Sequence, residues 1–122
     1  MDEFRVGIQM FNAREFFEAH EVLEDLWRDA VGPQRDLYQG ILQIGVGFHH
    51  LLNGNHHGAT TLLERGIVRL TRLAPDDCQG IDCASLINAA RRCSDQLVEL
   101  GPTRINAFDR ALIPQVQWRP IS

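Results

Sequence analysis

Apolar residues recur at helical spacing along most of the chain. Between residues 13 and 30, apolar side chains fall on one face of a helical wheel and charged side chains on the other. The apolar set is Phe16, Ala19, Leu23, Leu26, Trp27 and Ala30. This pattern predicts an amphipathic helix. Asn12, followed three residues later by Glu15, is typical of a capping box, so we expect Asn12 to cap the helix.

The next segment is apolar around most of its circumference. It begins at Gly32-Pro33, where proline suits a first helical turn, and Asn53-Gly54-Asn55 ends it. A helix that is apolar on nearly all sides is usually central in a bundle. A connection of about three residues also makes the helices on either side of Pro33 antiparallel neighbours. We therefore expect a central helical hairpin.

Three further stretches have helical periodicity, at residues 2–11, 56–72 and 82–100, and none shows the alternation typical of strands. The fold class predicted is all-α, a single-domain bundle of about five helices. Residues 1–100 form the expected bundle. Residues 101–122 contain scattered apolar positions and prolines, and we interpret them as an arm that packs on the bundle or on a neighbouring subunit.

Bulk composition excludes several functions. With 122 residues, a net charge of −4 and 44% hydrophobic residues, the chain has an ordinary globular balance. Arg65, Arg69 and Arg72 share a helical face, but acidic residues sit close by, which argues against a nucleic-acid partner. No apolar run approaches the roughly 20 residues of a membrane span. We expect no signal peptide, because the first residues lack a basic segment followed by an apolar one.

The cysteines indicate the compartment. The chain has an odd number of cysteines, Cys78, Cys83 and Cys93, and no Cys-x-x-Cys motif. Free thiols in a reducing cytoplasm are therefore the simplest interpretation.

One polar cluster could carry chemistry. His20 and Glu24 are four residues apart and therefore share a strip of their helix, which Trp27 continues. Folding the hairpin brings glutamines and histidines of the next helix alongside. The candidate set, called here the hairpin cluster, is His20, Glu21, Glu24, Trp27, Gln39, Gln43 and His49.

Two interpretations of the hairpin cluster stay open. Imidazole and carboxylate ligands suit a divalent zinc, iron or manganese ion, for which His20, Glu24 and His49 are the candidates, or they could serve acid/base chemistry. The motif lacks the second histidine of the zincin pattern. Alternatively, the side chains satisfy one another as a partly buried hydrogen-bond network.

Three glycines interrupt the central helix, at Gly40, Gly45 and Gly47. Each costs about 0.5–1 kcal/mol relative to alanine in a helix interior, so we expect a compensating reason. Either a neighbouring backbone approaches closely or space is kept for a ligand. His56 and His57, which follow Gly54-Asn55, are interpreted as solvated loop side chains.

The run Phe-Glu-Ala-His-Glu-Val-Leu-Glu-Asp-Leu-Trp (17–27), followed by Gln-Gly-Ile-Leu-Gln (39–43) and His49, resembles the domain-of-unknown-function family numbered 309. The resemblance covers roughly residues 8 to 100. It implies a small all-α protein without an assigned activity. Among the motif positions that it selects are Glu21, which the helical wheel directs toward solvent, and His49 rather than His50.

Two functions are carried forward. The first is a non-enzymatic helical module that binds a protein partner or itself as a homo-oligomer. The second is a metal- or acid/base-dependent enzyme that acts on a small molecule through the His/Glu pair. The incomplete catalytic sets favour the first function, and the clustered polar residues beside three glycines favour the second.

Overall fold

Five α-helices follow one another along the chain in the computed structural model, which describes residues 2–120. They are α1 (Glu3–Asn12), α2 (Phe16–Asp29), α3 (Pro33–Leu52), α4 (His56–Thr71) and α5 (Cys83–Leu100). Short 3₁₀ turns occur at Pro75–Cys78, Pro102–Ala107 and Arg110–Leu112. Residues 2–120 contain no strand, only an isolated antiparallel bridge between Ile81 and Trp118. The predicted all-α bundle is confirmed.

Local signals set most helix ends. Gly32 precedes α3 with φ of +64°, a conformation that favours glycine, and Pro33 occupies the first turn. The side chain of Asn55 accepts a hydrogen bond from the Gly58 amide at the start of α4, and that of Asp82 accepts one from the Ser85 amide at the start of α5. The bounds of α3 agree with those expected from the sequence.

The predicted cap at Asn12 is wrong. Helix α2 begins at Phe16, and the residue before it makes no side-chain capping bond. Asn12 instead lies in the last turn of α1, where its side-chain amide donates to the Val116 carbonyl at 3.1 Å and accepts from the Val116 amide at 2.6 Å. Both hydrogen bonds join Asn12 to a residue 104 positions away, so its side chain holds the C-terminal segment and does not cap α2.

Both hairpins around α3 are antiparallel. Between α2 and α3, Trp27 lies against Arg35 near the turn and Phe17 lies against His49 at the far end. Between α3 and α4, Gly47 faces Leu63, whereas Gly40 faces Leu70. Helix α3 thus lies between α2 and α4, and the expectation that it is the central helix is confirmed.

The core extends along α3 and continues under the C-terminal segment. Phe11, Phe16 and Phe48 form an aromatic group with ring centroids 5.1–6.3 Å apart. Burial of each such side chain contributes about 1.5–3 kcal/mol. The residues of α3 in this core are Leu37, Tyr38, Ile41, Ile44, Phe48 and Leu51.

The chain after Gly101 covers the bundle of its own molecule. Ile105, Phe108, Ile113 and Val116 are buried in the same hydrophobic core as the long helices. Contact of this segment with a neighbouring subunit stays a prediction.

None of the helices described between residues 2 and 120 combines the length and the apolarity that crossing a bilayer requires.

Candidate functional site

The His/Glu pair forms on the surface of α2. Nε2 of His20 lies 3.2 Å from Oε2 of Glu24, as their spacing predicts. The other oxygen of Glu24 accepts a hydrogen bond from Arg28 at 3.2 Å, and Arg28 also donates to Asp25 at 2.7 Å. Side chains of His20 and Glu24 are 31% and 35% exposed. The pair is therefore half-buried, and the exposed side chains of Arg28 and Asp25 extend it into a row of ion pairs.

An exposed aromatic ring lies between two histidines. Phe17 stacks on His20 with a centroid distance of 6.4 Å, and its ring lies 6.1 Å from that of His49 on α3. The ring of His50 is 6.2 Å from that of His49. Nδ2 of Asn53 lies 3.3 Å from Nε2 of His49 and donates to the His49 carbonyl at 2.8 Å. His20 and His49 therefore meet at one ring, Phe17, which the hairpin cluster did not include.

Trp27 is covered by a cation. The guanidinium carbon of Arg35, in the first turn of α3, lies 4.1 Å from the Trp27 ring centroid. The indole Nε1 is buried and has no hydrogen-bond partner. Trp27 therefore packs against Arg35 and takes no part in the contact between His20 and Glu24. The turn at Val31 to Pro33 is short, so residues at similar distances before and after it lie opposite each other. This register could have placed Arg35 against Trp27 from the sequence.

The remaining members of the hairpin cluster lie apart from the pair. Glu21 is exposed, in agreement with the helical wheel. Gln39 is half-buried and makes none of the side-chain hydrogen bonds found among the described residues. Gln43 is half-buried, with Oε1 fully enclosed and unpaired. Within the hairpin cluster, the described residues make one polar side-chain contact, between His20 and Glu24, and both of these residues lie on α2. The predicted hydrogen-bond network across the hairpin is therefore not formed.

Across residues 2–120, no three His, Cys, Asp or Glu side chains are arranged to hold a metal ion. His20 and Glu24 could supply two ligands, and His49 faces the same aromatic ring as His20. A metal site at these three residues stays a prediction that would need His49 to turn toward the pair.

Close helix packing explains the glycines of α3. A Cβ atom on Gly40 would lie 2.6 Å from Cδ2 of Leu70, and one on Gly47 would lie 2.9 Å from Cγ of Leu63. A Cβ atom on Gly66, on the facing side of α4, would lie 2.7 Å from the Gly40 carbonyl oxygen. Of the two reasons proposed above, the structure supports close approach. Side chains of α4 occupy the space beside Gly40 and Gly47, whereas Phe11 and Phe16 occupy the space beside Gly45.

His56 corrects a second expectation. Its Nε2 lies 2.6 Å from the Leu97 carbonyl oxygen, which can only accept, so the imidazole donates to α5. His56 is half-buried and joins α4 to α5, whereas His57 is exposed as expected.

All three cysteines are free and buried. Burial, reinforced by a side-chain hydrogen bond with Cys78, raises the pKa of the Cys83 thiol far above its usual range. Burial also raises the pKa of Cys93, to about 12. These two thiols therefore stay protonated at neutral pH and are poor nucleophiles in the folded chain.

Sequence comparisons find relatives without an assigned activity. An uncharacterized protein of Bacillus subtilis (strain 168), YpuF, is 24% identical over 110 residues, which cover 88% of this chain and 60% of YpuF. An uncharacterized protein of Aquifex aeolicus (strain VF5) is 22% identical over 77 residues, which cover 62% of this chain and 23% of the relative. The chain therefore spans less than two thirds of the length of either relative.

A family model described as "Domain of unknown function (DUF309)" matches residues 4–62. The matched range runs from α1 into α4 and contains the whole hairpin cluster, although it ends well before the residue 100 expected from the motif resemblance. From α1 to the start of α4, the chain therefore matches the family DUF309.

Proposed function

We propose that this protein is a non-enzymatic helical module that associates with a second copy of itself through the exposed face of α2 and α3. The face, called here the Phe17 face, consists of Phe17, His20, Glu21, His49 and His50. The observation that carries the proposal is the exposure of the Phe17 side chain, which is 58% accessible although two imidazoles lie against it.

An exposed, laterally supported aromatic ring is typical of an interface anchor. Aromatic side chains supply a large contact area and lose little conformational freedom on binding. Contacts with His20 and His49 already restrict the Phe17 ring. Ordering this side chain on association would therefore cost little.

The Phe17 face also carries groups that can hydrogen-bond with one another, since an imidazole N–H can donate to a carboxylate. Glu21 is one helical turn from Phe17 and exposed, and His49 and His50 lie on the neighbouring helix. A two-fold axis through the face would place α2 of one copy against α3 of the other. Each Glu21 would then lie near the imidazoles of the opposite copy.

Sedimentation velocity over a wide dilution series tests this proposal. We expect a reversible dimer whose dissociation constant rises roughly tenfold or more in Phe17→Ala. Val98→Ala is the matched control, because Val98 is 69% exposed on α5, away from the Phe17 face. A wild-type protein that stays monomeric at its highest concentration would contradict the proposal, as would equal effects of the two substitutions.

A second candidate function is a metal- or acid/base-dependent enzyme that acts on a small molecule. The 3.2 Å contact between His20 and Glu24 supports it, since it places an imidazole and a carboxylate together at a half-exposed position. Elemental analysis of protein purified without chelator or metal-affinity tag tests it. Near-stoichiometric zinc, iron or manganese that disappears in His20→Ala supports the metal site. Metal-free protein that the substitution only destabilises leaves His20 as a structural residue.

The proposed module works in a reducing compartment, and we favour the cytoplasm because three buried free thiols suit it. Nucleic acid is not its proposed partner, since the chain carries a net charge of −4.

A further inference from the structure

A groove of about 650 Å³ runs between α4 and α5, with one residue of α3 in its lining. Arg65 and Arg69 of α4 line it together with Arg72, the residue that caps the end of α4, and their spacing places the three on one helical face. Arg91 of α5 completes a set of four arginines. Folding therefore adds a fourth cation, from a different helix, to the three that the sequence already aligns.

The groove keeps an excess of positive charge. Arg69 is held by Asp36 at 2.9 Å. Arg65, Arg72 and Arg91 are exposed and belong to none of the ion pairs found among residues 2–120. The acids that line the groove are Glu64 and Asp95. With Asp36 included, four arginines thus meet three acids, which leaves one excess positive charge in a chain whose net charge is −4.

The groove also has an apolar part and an unpaired polar atom. Ile67 and Val68 line it, and Val68 is 52% exposed. Gln43, the lining residue from α3, has an Oε1 atom that is buried without a hydrogen-bond donor.

We propose that this groove binds a small molecule that carries a phosphate or carboxylate group next to an apolar group. Guanidinium groups bind both anions through paired N–H donors, and several of them converge here. The volume falls within the roughly 300–1,000 Å³ of small-molecule sites. Ile67 and Val68 would contact the apolar part of the ligand. The groove is separate from the Phe17 face, so each proposal stands or falls alone.

Phenyl phosphate, benzoate and phenol are the probes. Amide chemical shifts of ¹⁵N-labelled protein report where each one binds. We expect saturable shifts in α4 and α5 around the groove with phenyl phosphate or benzoate, and none with phenol. The stronger of the two anions identifies the acidic group of the ligand. Affinity should fall as salt is added, because the arginines are solvent-exposed.

Arg91→Gln is the test variant and Arg92→Gln its matched control, since Arg92 is the next residue of α5, is also exposed and does not line the groove. We expect the dissociation constant of the bound anion to rise roughly fivefold or more in Arg91→Gln and to stay within about twofold in Arg92→Gln. Circular dichroism checks that both variants are folded.

Three outcomes would overturn the proposal. One is the absence of saturable shifts with both anions, and another is an equal loss of affinity in the two variants. The third is binding of a glutamate-rich peptide or an oligonucleotide at the groove when neither small anion binds, which would assign it to a macromolecular partner.

Discussion

Cys93 shows how burial of one side chain determines a response to pH. Its thiol is fully enclosed, donates to the Leu112 carbonyl at 3.4 Å, and has a pKa raised by burial to about 12. The unfolded chain releases this proton near the ordinary thiol value of 9.0, whereas the folded chain keeps it. Stability from this group is therefore complete below about pH 9 and is lost as the pH rises toward 12.

We predict that the free energy of unfolding falls between pH 9 and 12, with Cys93 contributing a slope of about 1 kcal/mol per pH unit. None of the 12 basic residues is lysine, and Cys83, whose pKa burial also raises, adds its own slope in wild type and in Cys93→Ala alike. Urea unfolding at several pH values measures the slope, which should be shallower in Cys93→Ala. Leu97→Ala also opens a cavity on α5 and should keep the wild-type slope. Parallel pH profiles for wild type and Cys93→Ala would contradict this prediction.

Contacts between single residues could be predicted only where the partner is near in sequence. His20 and Glu24 meet because four residues make one helical turn. Asn12 binds Val116, and His56 binds the Leu97 carbonyl 41 positions away. The sequence offered a local role for each side chain, as a helix cap for Asn12 and as a solvated loop residue for His56. No local pattern could show that each of them instead bonds to a residue far along the chain.

At the scale of elements, the contact between α3 and α4 depends on facing glycines. A Cβ atom on Gly66 would lie 2.5 Å from Cγ1 of Ile44 and 3.0 Å from its backbone nitrogen. Backbone cannot move aside as a flexible side chain can. The helices would therefore have to separate to accommodate even a methyl group.

Gly66→Ala should consequently destabilise the protein by about 1–3 kcal/mol, although alanine is the better helix former. Gly45→Ala is the control on α3, because its Cβ atom would meet Phe11 at 3.4 Å, an ordinary van der Waals distance. We expect that control to be neutral or stabilised by up to about 1 kcal/mol. Denaturant unfolding measures both, and a Gly66→Ala protein as stable as Gly45→Ala would show that the helices are free to adjust.

The limits of α3 could be predicted because Gly32-Pro33 and Asn53-Gly54 act locally. The reason for the glycines of α3 could not be predicted, because that reason depends on which face of α4 packs against α3. Gly66 lies on that face, and the facing pair becomes evident only when the two helices are docked.

At the scale of the whole molecule, the C-terminal segment is bound to α1. Asn12 satisfies both the amide and the carbonyl of Val116, and Trp118 packs edge-on against Phe4 with ring centroids 6.0 Å apart. Arg5 lies 4.7 Å from the centroid of the Trp118 ring. These contacts join the two ends of the fold.

Replacing Asn12 with alanine should release this segment. The substitution leaves the backbone amide and carbonyl of Val116 without their partner, at a cost of about 1–3 kcal/mol. Hydrogen exchange measured by mass spectrometry should show faster exchange at residues 113–119 than in wild type. Asn106→Ala is the control, because Asn106 is exposed in the same segment. If both variants protect residues 113–119 as wild type does, Asn12 is not what holds the segment.

Because Phe4 and Trp118 touch, α1 and the segment around Trp118 lie side by side. A short flexible linker could join this segment to α1, and the chain could be opened in the exposed turn at Gly54 between α3 and α4. Such a circular permutant would be translated starting with α4 and would finish with α3. It would still contain every helix packed against its present neighbours, so the order in which the helices are synthesised is separable from the way they pack.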